Sequence, residues 1–215
     1  MTQRLSENGR TIAIELDARM AGALAESAPN ATVLIQNVLK TDIGGLLGQL
    51  ERPRAVVSNL PYVITSPVLE MLDVSRDAFD CAVLLMQKEV AEKLLAQPGA
   101  RTRGSLSVIM QLRFEISKVC SAPPSAFMPP PKVHSIGLKL IPRINGDLTQ
   151  SQREFIKAAF RYPRKMLVNN LAQATDRSAV LIQFDRLGLN PRCRPQELTE
   201  VDWLRLEEAL RTRAH

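Results

Sequence analysis

The stretch Ser58-Asn59-Leu60-Pro61-Tyr62 places a carboxamide, a proline and an aromatic ring in one short turn. These residue types suit a particular reaction. An exocyclic aromatic amine is a poor nucleophile because its lone pair is delocalised into the ring. The Asn59 side-chain oxygen and the Leu60 or Pro61 carbonyl can each accept one amine hydrogen. That orients the amine and helps pyramidalise its nitrogen towards an electrophilic carbon. Pro61 restricts the backbone of the turn. Tyr62 offers a face on which a base can stack, an interaction of about 1–3 kcal/mol. With a sulfonium as leaving group the displacement is direct and needs no strong general base. The same four residues would also serve as a plain structural turn.

Two further polar residues close apolar runs. Glu15 ends Thr11-Ile12-Ala13-Ile14. A carboxylate there can accept both ribose hydroxyls of a nucleoside, or can cap the helix that follows. Gln36-Asn37 ends Thr32-Val33-Leu34-Ile35, where a side chain could meet an adenine edge or simply face water. The cysteines, Cys81, Cys120 and Cys193, form no C-x-x-C pair, and neither His134 nor His215 stands near one in sequence. No zinc site and no disulfide framework is expected, only free buried thiols in a reducing compartment.

The elements that must position these residues alternate in type. Strands are expected at 11–15, 32–36, 54–58 and 81–86. Helices are expected at 17–28 (capped by Asp17), 43–50, 66–72 and 87–96. This β-α order argues for an α/β domain, a parallel sheet covered by helices, over residues 1–142. Gln111 to Val119 and Ser135 to Leu140 read as an antiparallel edge pair around a Pro-rich segment. Residues 142–147 read as a linker. From Leu148 to residue 215 the chain reads as a small all-α domain with helices near 150–161, 163–173, 179–187 and 199–211. About 65 residues bury little core alone, so these helices should pack on the first domain. Thr2 to Asn8 reads as the last turns of a helix closed by Gly9.

The chain has 215 residues, 45% of them hydrophobic, which suffices for one sizeable core and a smaller one. A net charge of +6 and a pI near 9.5 favour a polyanionic partner. No apolar run approaches the roughly 20 residues that span a bilayer, so no membrane partner is expected.

Four motifs in order carry a resemblance over essentially the whole chain: Asn59-Leu60-Pro61-Tyr62, Gln87-Lys88-Glu89-Val90, Gly104-Ser105-Leu106-Ser107-Val108, and Phe127-Met128-Pro129-Pro130-Pro131-Lys132-Val133-His134-Ser135. Together they resemble the ribosomal RNA adenine dimethyltransferases, and the triple proline before Lys132 is similar to the small-subunit subgroup. Ala159 to Leu167 is similar to that family's basic helix. The resemblance implies a class I, Rossmann-like fold, S-adenosyl-L-methionine as donor, small-subunit rRNA or its precursor particle as partner, a monomer, and a cytoplasmic setting. It implies Glu15 and Asn37 on the donor's nucleoside, Asn59 at both donor and target amine, Leu60, Pro61 and Tyr62 at the target base, and Phe127 on its other side. Arg161, Arg164 and Lys165 would lie along RNA phosphates, with Pro163 starting their helix.

Two departures from the pattern stand out. The family's G-x-G-x-G turn is not found, and with it the first strand, most of the first helix and a lead-in, of order 50 residues, would precede residue 1. That strand is central, so strands ending at Glu15 and Asn59 should each be left with an open edge. Asn37 stands where the family has an aspartate, which loses the charge-assisted part of an adenine contact. Both departures would also suit a non-catalytic RNA-binding protein of ribosome assembly, against which the amine-orienting turn argues.

Overall fold

A computed structural model describes residues 1–212, with only the backbone at Tyr62. The chain packs as two compact units, residues 1–56 with 60–81, and residues 57–59 with 82–215.

The first unit contains α1 (Thr2–Ser6), β1 (Thr11–Glu15), α2 (Met20–Ser27), β2 (Ala31–Ile35), α3 (Ile43–Gly48) and α4 (Thr65–Val74). β1 and β2 pair in parallel, from Thr11 opposite Ala31 to Glu15 opposite Ile35. A parallel pair needs a crossover, which α2 supplies. Val68, Leu69 and Leu72 of α4 and Ile43 and Leu47 of α3 are buried. Asp80 accepts from the Arg54 backbone N–H at 2.6 Å and pairs with Arg52. The Arg54 guanidinium in turn donates to the Leu50 carbonyl at 2.7 Å.

Two of the boundaries that differ from the sequence reading have a visible local cause. α2 begins at Met20 because the Asp17 carboxylate accepts from the Arg19 backbone N–H and grips the Arg19 guanidinium, which holds a turn before the helix. α1 is closed at Glu7, two residues before Gly9, and Gly9 has no positive φ.

The second unit holds β4 (Cys81–Gln87) from Ala82 on, α5 (Lys88–Leu94), α6 (Ser105–Arg113), β5 (Phe114–Ala122), β6 (Ser135–Pro142) and four later helices. With β3 (Ala55–Asn59), whose last three residues belong to this unit, the sheet order is β3-β4-β6-β5. β6 runs antiparallel to both neighbours, Gln87 facing Ser135 on one side and Ala122 facing Ser135 on the other. Alternate residues Ala82, Leu84 and Met86 of β4 are buried, the period-2 pattern of a strand covered on one face. A Cβ at Gly137 would stand 2.6 Å from the Cys120 sulfur, next to a bulge at Lys118–Cys120; glycine at 137 makes that crossing possible.

Among the described residues, then, the strands form a two-stranded and a four-stranded sheet, and β1 and β3 each have a single neighbour.

The four later helices are α7 (Gln150–Ala159), α8 (Leu167–Leu171), α9 (Arg177–Arg186) and α10 (Glu200–Arg211). Thr149 with Gln152 and Thr199 with Asp202 form reciprocal caps, and Asp176 caps α9. Gly188, at φ +66°, lies just past the end of α9, a backbone conformation that glycine adopts without strain.

The largest correction concerns Gln111 to Arg113, expected in a strand and found in α6. These residues instead continue α6, and burial is the reason. Val108, Ile109 and Leu112 share one core with Ile156, Leu167, Val180, Phe184, Trp203 and Leu206 of the later helices. The small helical part thus borrows α6 to complete its core. Buried Arg103 reinforces the junction. It donates to the Gln196 and Leu198 carbonyls, to Gln111 Oε1, and to Glu200 at 2.5 Å. Burial pulls its pKa below the usual arginine value, and the Glu200 charge works against that pull.

Of the cysteines, Cys193 is buried, Cys81 half-buried and Cys120 exposed. The expectation of three buried thiols holds for Cys193 alone.

Candidate active site and nucleic-acid interface

Glu15 and Asn37 come together at the carboxyl ends of adjacent parallel strands, the edge at which open α/β sheets bind ligands. Glu15 Oε1 accepts from the N–H groups of Leu16 at 2.7 Å and Asp17 at 2.9 Å. Its carbonyl accepts from the Gln36 N–H at 2.8 Å. One carboxylate oxygen is therefore spent on fixing the turn, and the other remains as an acceptor. Asn37 Oδ1 caps the following 3-10 turn by accepting from Leu39 N–H at 2.9 Å. One lone pair of that oxygen and the amide NH2 are left for a purine edge. Asp17, half-buried, has its pKa lowered by its hydrogen bonds to Arg19 and pairs with that guanidinium at 2.6 Å.

The amine-orienting turn follows β3. Asn59 is exposed, and its side chain makes no hydrogen bond among the described residues. Leu60 is buried at 4% exposure, which anchors the turn that follows the strand end. Pro61 has φ −57° and ψ 135° and leads into a 3-10 turn, Tyr62–Ile64. The Pro61 carbonyl already accepts from Ile64 N–H at 3.1 Å and from the Thr65 hydroxyl at 3.3 Å. Of the two carbonyls considered for the amine, Leu60's is the one without these local claims. The Tyr62 side chain lies outside the described residues.

Phe127 is half-buried on extended backbone in the connection from β5 to β6, just after a 3-10 turn at Pro124–Ala126. That connection lies at the sheet edge where β4 ends, because Gln87 and Ala122 both face Ser135. Lys88 N–H donates to the His134 carbonyl at 2.9 Å. Gln87, Lys88, Glu89, Glu92, Lys132 and His134 line an open cleft there. Glu89 pairs with Lys93 at 2.8 Å, and this partner lowers the Glu89 pKa.

Arg161, Arg164 and Lys165 are placed differently from expectation. They lie on a turn, not on a helix: α7 stops at Ala159 and α8 starts at Leu167. Pro163 does not start a helix. It occupies the second position of a turn closed by Lys165 N–H on the Tyr162 carbonyl at 3.0 Å, where proline is favoured. The physical reason is tertiary. Buried Asn170 donates to the Ala159 carbonyl at 2.8 Å and the Tyr162 carbonyl at 3.1 Å, and Leu167 N–H donates to Cys193 O at 2.8 Å. All three cations are exposed. Sequence reasoning passed over Tyr162, whose signal is an aromatic flanked on both sides by cations.

No group of three or more His, Cys, Asp or Glu among the described residues could hold a metal ion; His215 lies outside them. No helix among them is long and apolar enough to cross a membrane.

A sheet with helices, polar residues at strand ends and an Asn-x-Pro-aromatic turn define a Rossmann-like methyltransferase. Residues 1–212 match the family described as Ribosomal RNA adenine dimethylase. Over 213 residues the chain is 36% identical to the Ribosomal RNA small subunit methyltransferase A of Nostoc sp., covering 93% of this chain and 79% of that protein. The protein of the same name from Staphylococcus aureus is 36% identical over 225 residues, 97% of this chain and 75% of its own length. The crystal structure of a dimethyladenosine transferase from Plasmodium falciparum superposes with a TM-score of 0.79 at 27% identity, covering 95% of this chain and 83% of that one. The chain belongs to the ribosomal RNA adenine dimethylase family.

Proposed function

We propose that this protein transfers methyl groups from S-adenosyl-L-methionine to the exocyclic amine of adenosines in small-subunit rRNA, two per target, as a step of ribosome maturation. Residues 1–142 act as the methyltransferase domain and 148–215 as a helical RNA-binding domain. The protein works as a monomer in the cytoplasm. The observation that carries the reading is the turn after β3. Asn59 offers an uncommitted carboxamide there, and Pro61's carbonyl is occupied by Ile64 and Thr65.

The donor supplies an electrophilic methyl on a sulfonium. The strand ends fit its nucleoside half: Glu15 keeps one carboxylate oxygen for the ribose, and Asn37 keeps its amide NH2 and one lone pair for the adenine. The Asn59 oxygen and the Leu60 carbonyl accept the two hydrogens of the target amine, so that its lone pair points out of the base plane. Tyr62 and Phe127 hold the base, which must leave its stack to reach the site. Arg161, Arg164 and Lys165 hold phosphates.

The test is methyl transfer. Small subunits lacking the modification are incubated with the protein and excess labelled donor, and the RNA is digested and analysed by mass spectrometry. N6,N6-dimethyladenosine is the expected product. RNA binding without any methylated adenosine would overturn the catalytic reading.

A further inference from the structure

The turn between α7 and α8 exposes five residues in succession, Arg161 to Lys165. Among them Tyr162 is 43% exposed. The Lys165 ammonium stands 4.6 Å from the centroid of its ring. The side chains of Arg161 and Arg164 form no hydrogen bond or ion pair among the described residues, unlike those of Arg103 or Arg52, whose charges are matched within the fold. An exposed aromatic amid unmatched cations leaves apolar surface in water and concentrates like charge, neither of which helps folding.

The backbone beneath is nevertheless fixed. Asn170, at 6% exposure, spends both amide hydrogens on the Ala159 and Tyr162 carbonyls, and Lys165 N–H adds a second donor to Tyr162 O. Pro163 stiffens the next residue. The ring is presented from a rigid frame, so a ligand that stacks on it loses little conformational entropy on binding. A base has a π-face for the ring and a phosphate on each side for the cations.

We propose that Tyr162 is a base-stacking subsite for unpaired RNA, with Arg161, Arg164 and Lys165 gripping the flanking phosphates. This rests on RNA being the substrate and adds a contact to one base remote in sequence from the amine-orienting turn. A duplex keeps its bases stacked on one another and cannot use the ring, so the subsite selects single-stranded or looped RNA.

The 215-residue chain is titrated with a fluorescent single-stranded oligoadenylate and with an RNA duplex of the same length, over a range of salt. Tyr162→Ala should weaken the oligoadenylate complex roughly 5- to 150-fold. Duplex affinity and both salt slopes should stay unchanged, because no charge is removed. Tyr162→Phe and Tyr162→Trp should bind as the parent does, and Tyr162→Leu should bind as the alanine variant does. Should the alanine variant fail to fold, the Phe, Trp and Leu series separates stacking from mere bulk on its own. Unchanged oligoadenylate binding, an equal loss on the duplex, or full binding by the leucine variant would overturn the subsite while leaving RNA as substrate. If the parent binds neither RNA at low salt, the RNA reading falls and the subsite with it.

Discussion

Every residue of β1 is half-buried and α2 buries none of its eight residues. In the helical core Leu167, Val168, Val180, Phe184, Trp203 and Leu206 are each at most 1% exposed. Strands of parallel sheets are ordinarily covered on both faces; β1 is not, and it has one neighbour. The residues assigned to the donor are held by bonds to their own turns, as Glu15 is by Leu16 and Asp17. The turn that carries the residues assigned to RNA is held, besides its own local bonds, by Asn170, eight residues on, donating to the Tyr162 carbonyl, and is followed by Leu167 donating to Cys193. The two sets of residues therefore differ in what fixes them, and their resistance to opening should differ in the same sense.

The largest effect should appear in stability. Trp203 lies between Phe155, edge-on at 6.1 Å, and Phe160, stacked at 5.6 Å. Trp203→Ala should cost about 3–5 kcal/mol in urea unfolding. Ile12→Ala, in half-buried β1, should cost about 1–2 kcal/mol. Equal losses would remove the contrast between the regions. Trp203→Phe should cost less than the alanine change, because the indole N–H has no partner in the core and goes with the substitution.

Next comes the donor. Among the described residues the positive-φ glycines are Gly99 and Gly188, both outside the unit that holds Glu15 and Asn37. The strand ends offer polar groups to a nucleoside but no glycine-rich run of backbone N–H groups to cradle the methionine end. S-adenosylmethionine should bind this chain no more than a few-fold better than adenosine does. A low-micromolar dissociation constant by calorimetry, with adenosine far weaker, would contradict this.

A smaller effect concerns salt. Replacing Arg164 and Lys165 by alanine should weaken RNA binding and flatten the log–log salt slope by about two units, with donor binding untouched. An unchanged slope would make these residues a solvated turn.

The smallest effects are local. Burial pushes the Cys193 thiol up to about 11, so near pH 8 an alkylating reagent should label exposed Cys120 and reach Cys193 only on unfolding. Asp80 has its pKa lowered, first by the Arg54 N–H and then by Arg52. Its contribution is present above the unfolded carboxylate value and is lost as pH falls through the folded one. Asp80→Asn should make stability less sensitive to acid across that range.

Much of this was legible in residue patterns. Apolar runs closed by Glu15, Asn37 and Asn59 located three strand ends. What escaped was set by contacts distant in sequence. The end of α6 was hidden because the strand was taken to begin at Gln111, and only the later helices, through their core with Val108, Ile109 and Leu112, keep that stretch helical. The turn at Pro163 was hidden because Asn170, seven residues on, holds it through Tyr162 O. The occupied carbonyl of Pro61 depends on the hydroxyl of Thr65, which no motif announces.

The amine-orienting role of Asn59 is the central claim, and the most direct measurement is a split between rate and affinity. Single-turnover methylation by Asn59→Ala, at excess donor, is compared with RNA affinity measured on the same preparation. The carboxamide acts chiefly as the amine pyramidalises, so the rate should fall by roughly 10²-fold or more, as when one preorganised hydrogen-bond partner of a transition state is removed, while RNA affinity stays within a few-fold. Methylation at near the parent rate, or a rate lost only in proportion to RNA affinity, would contradict the assignment.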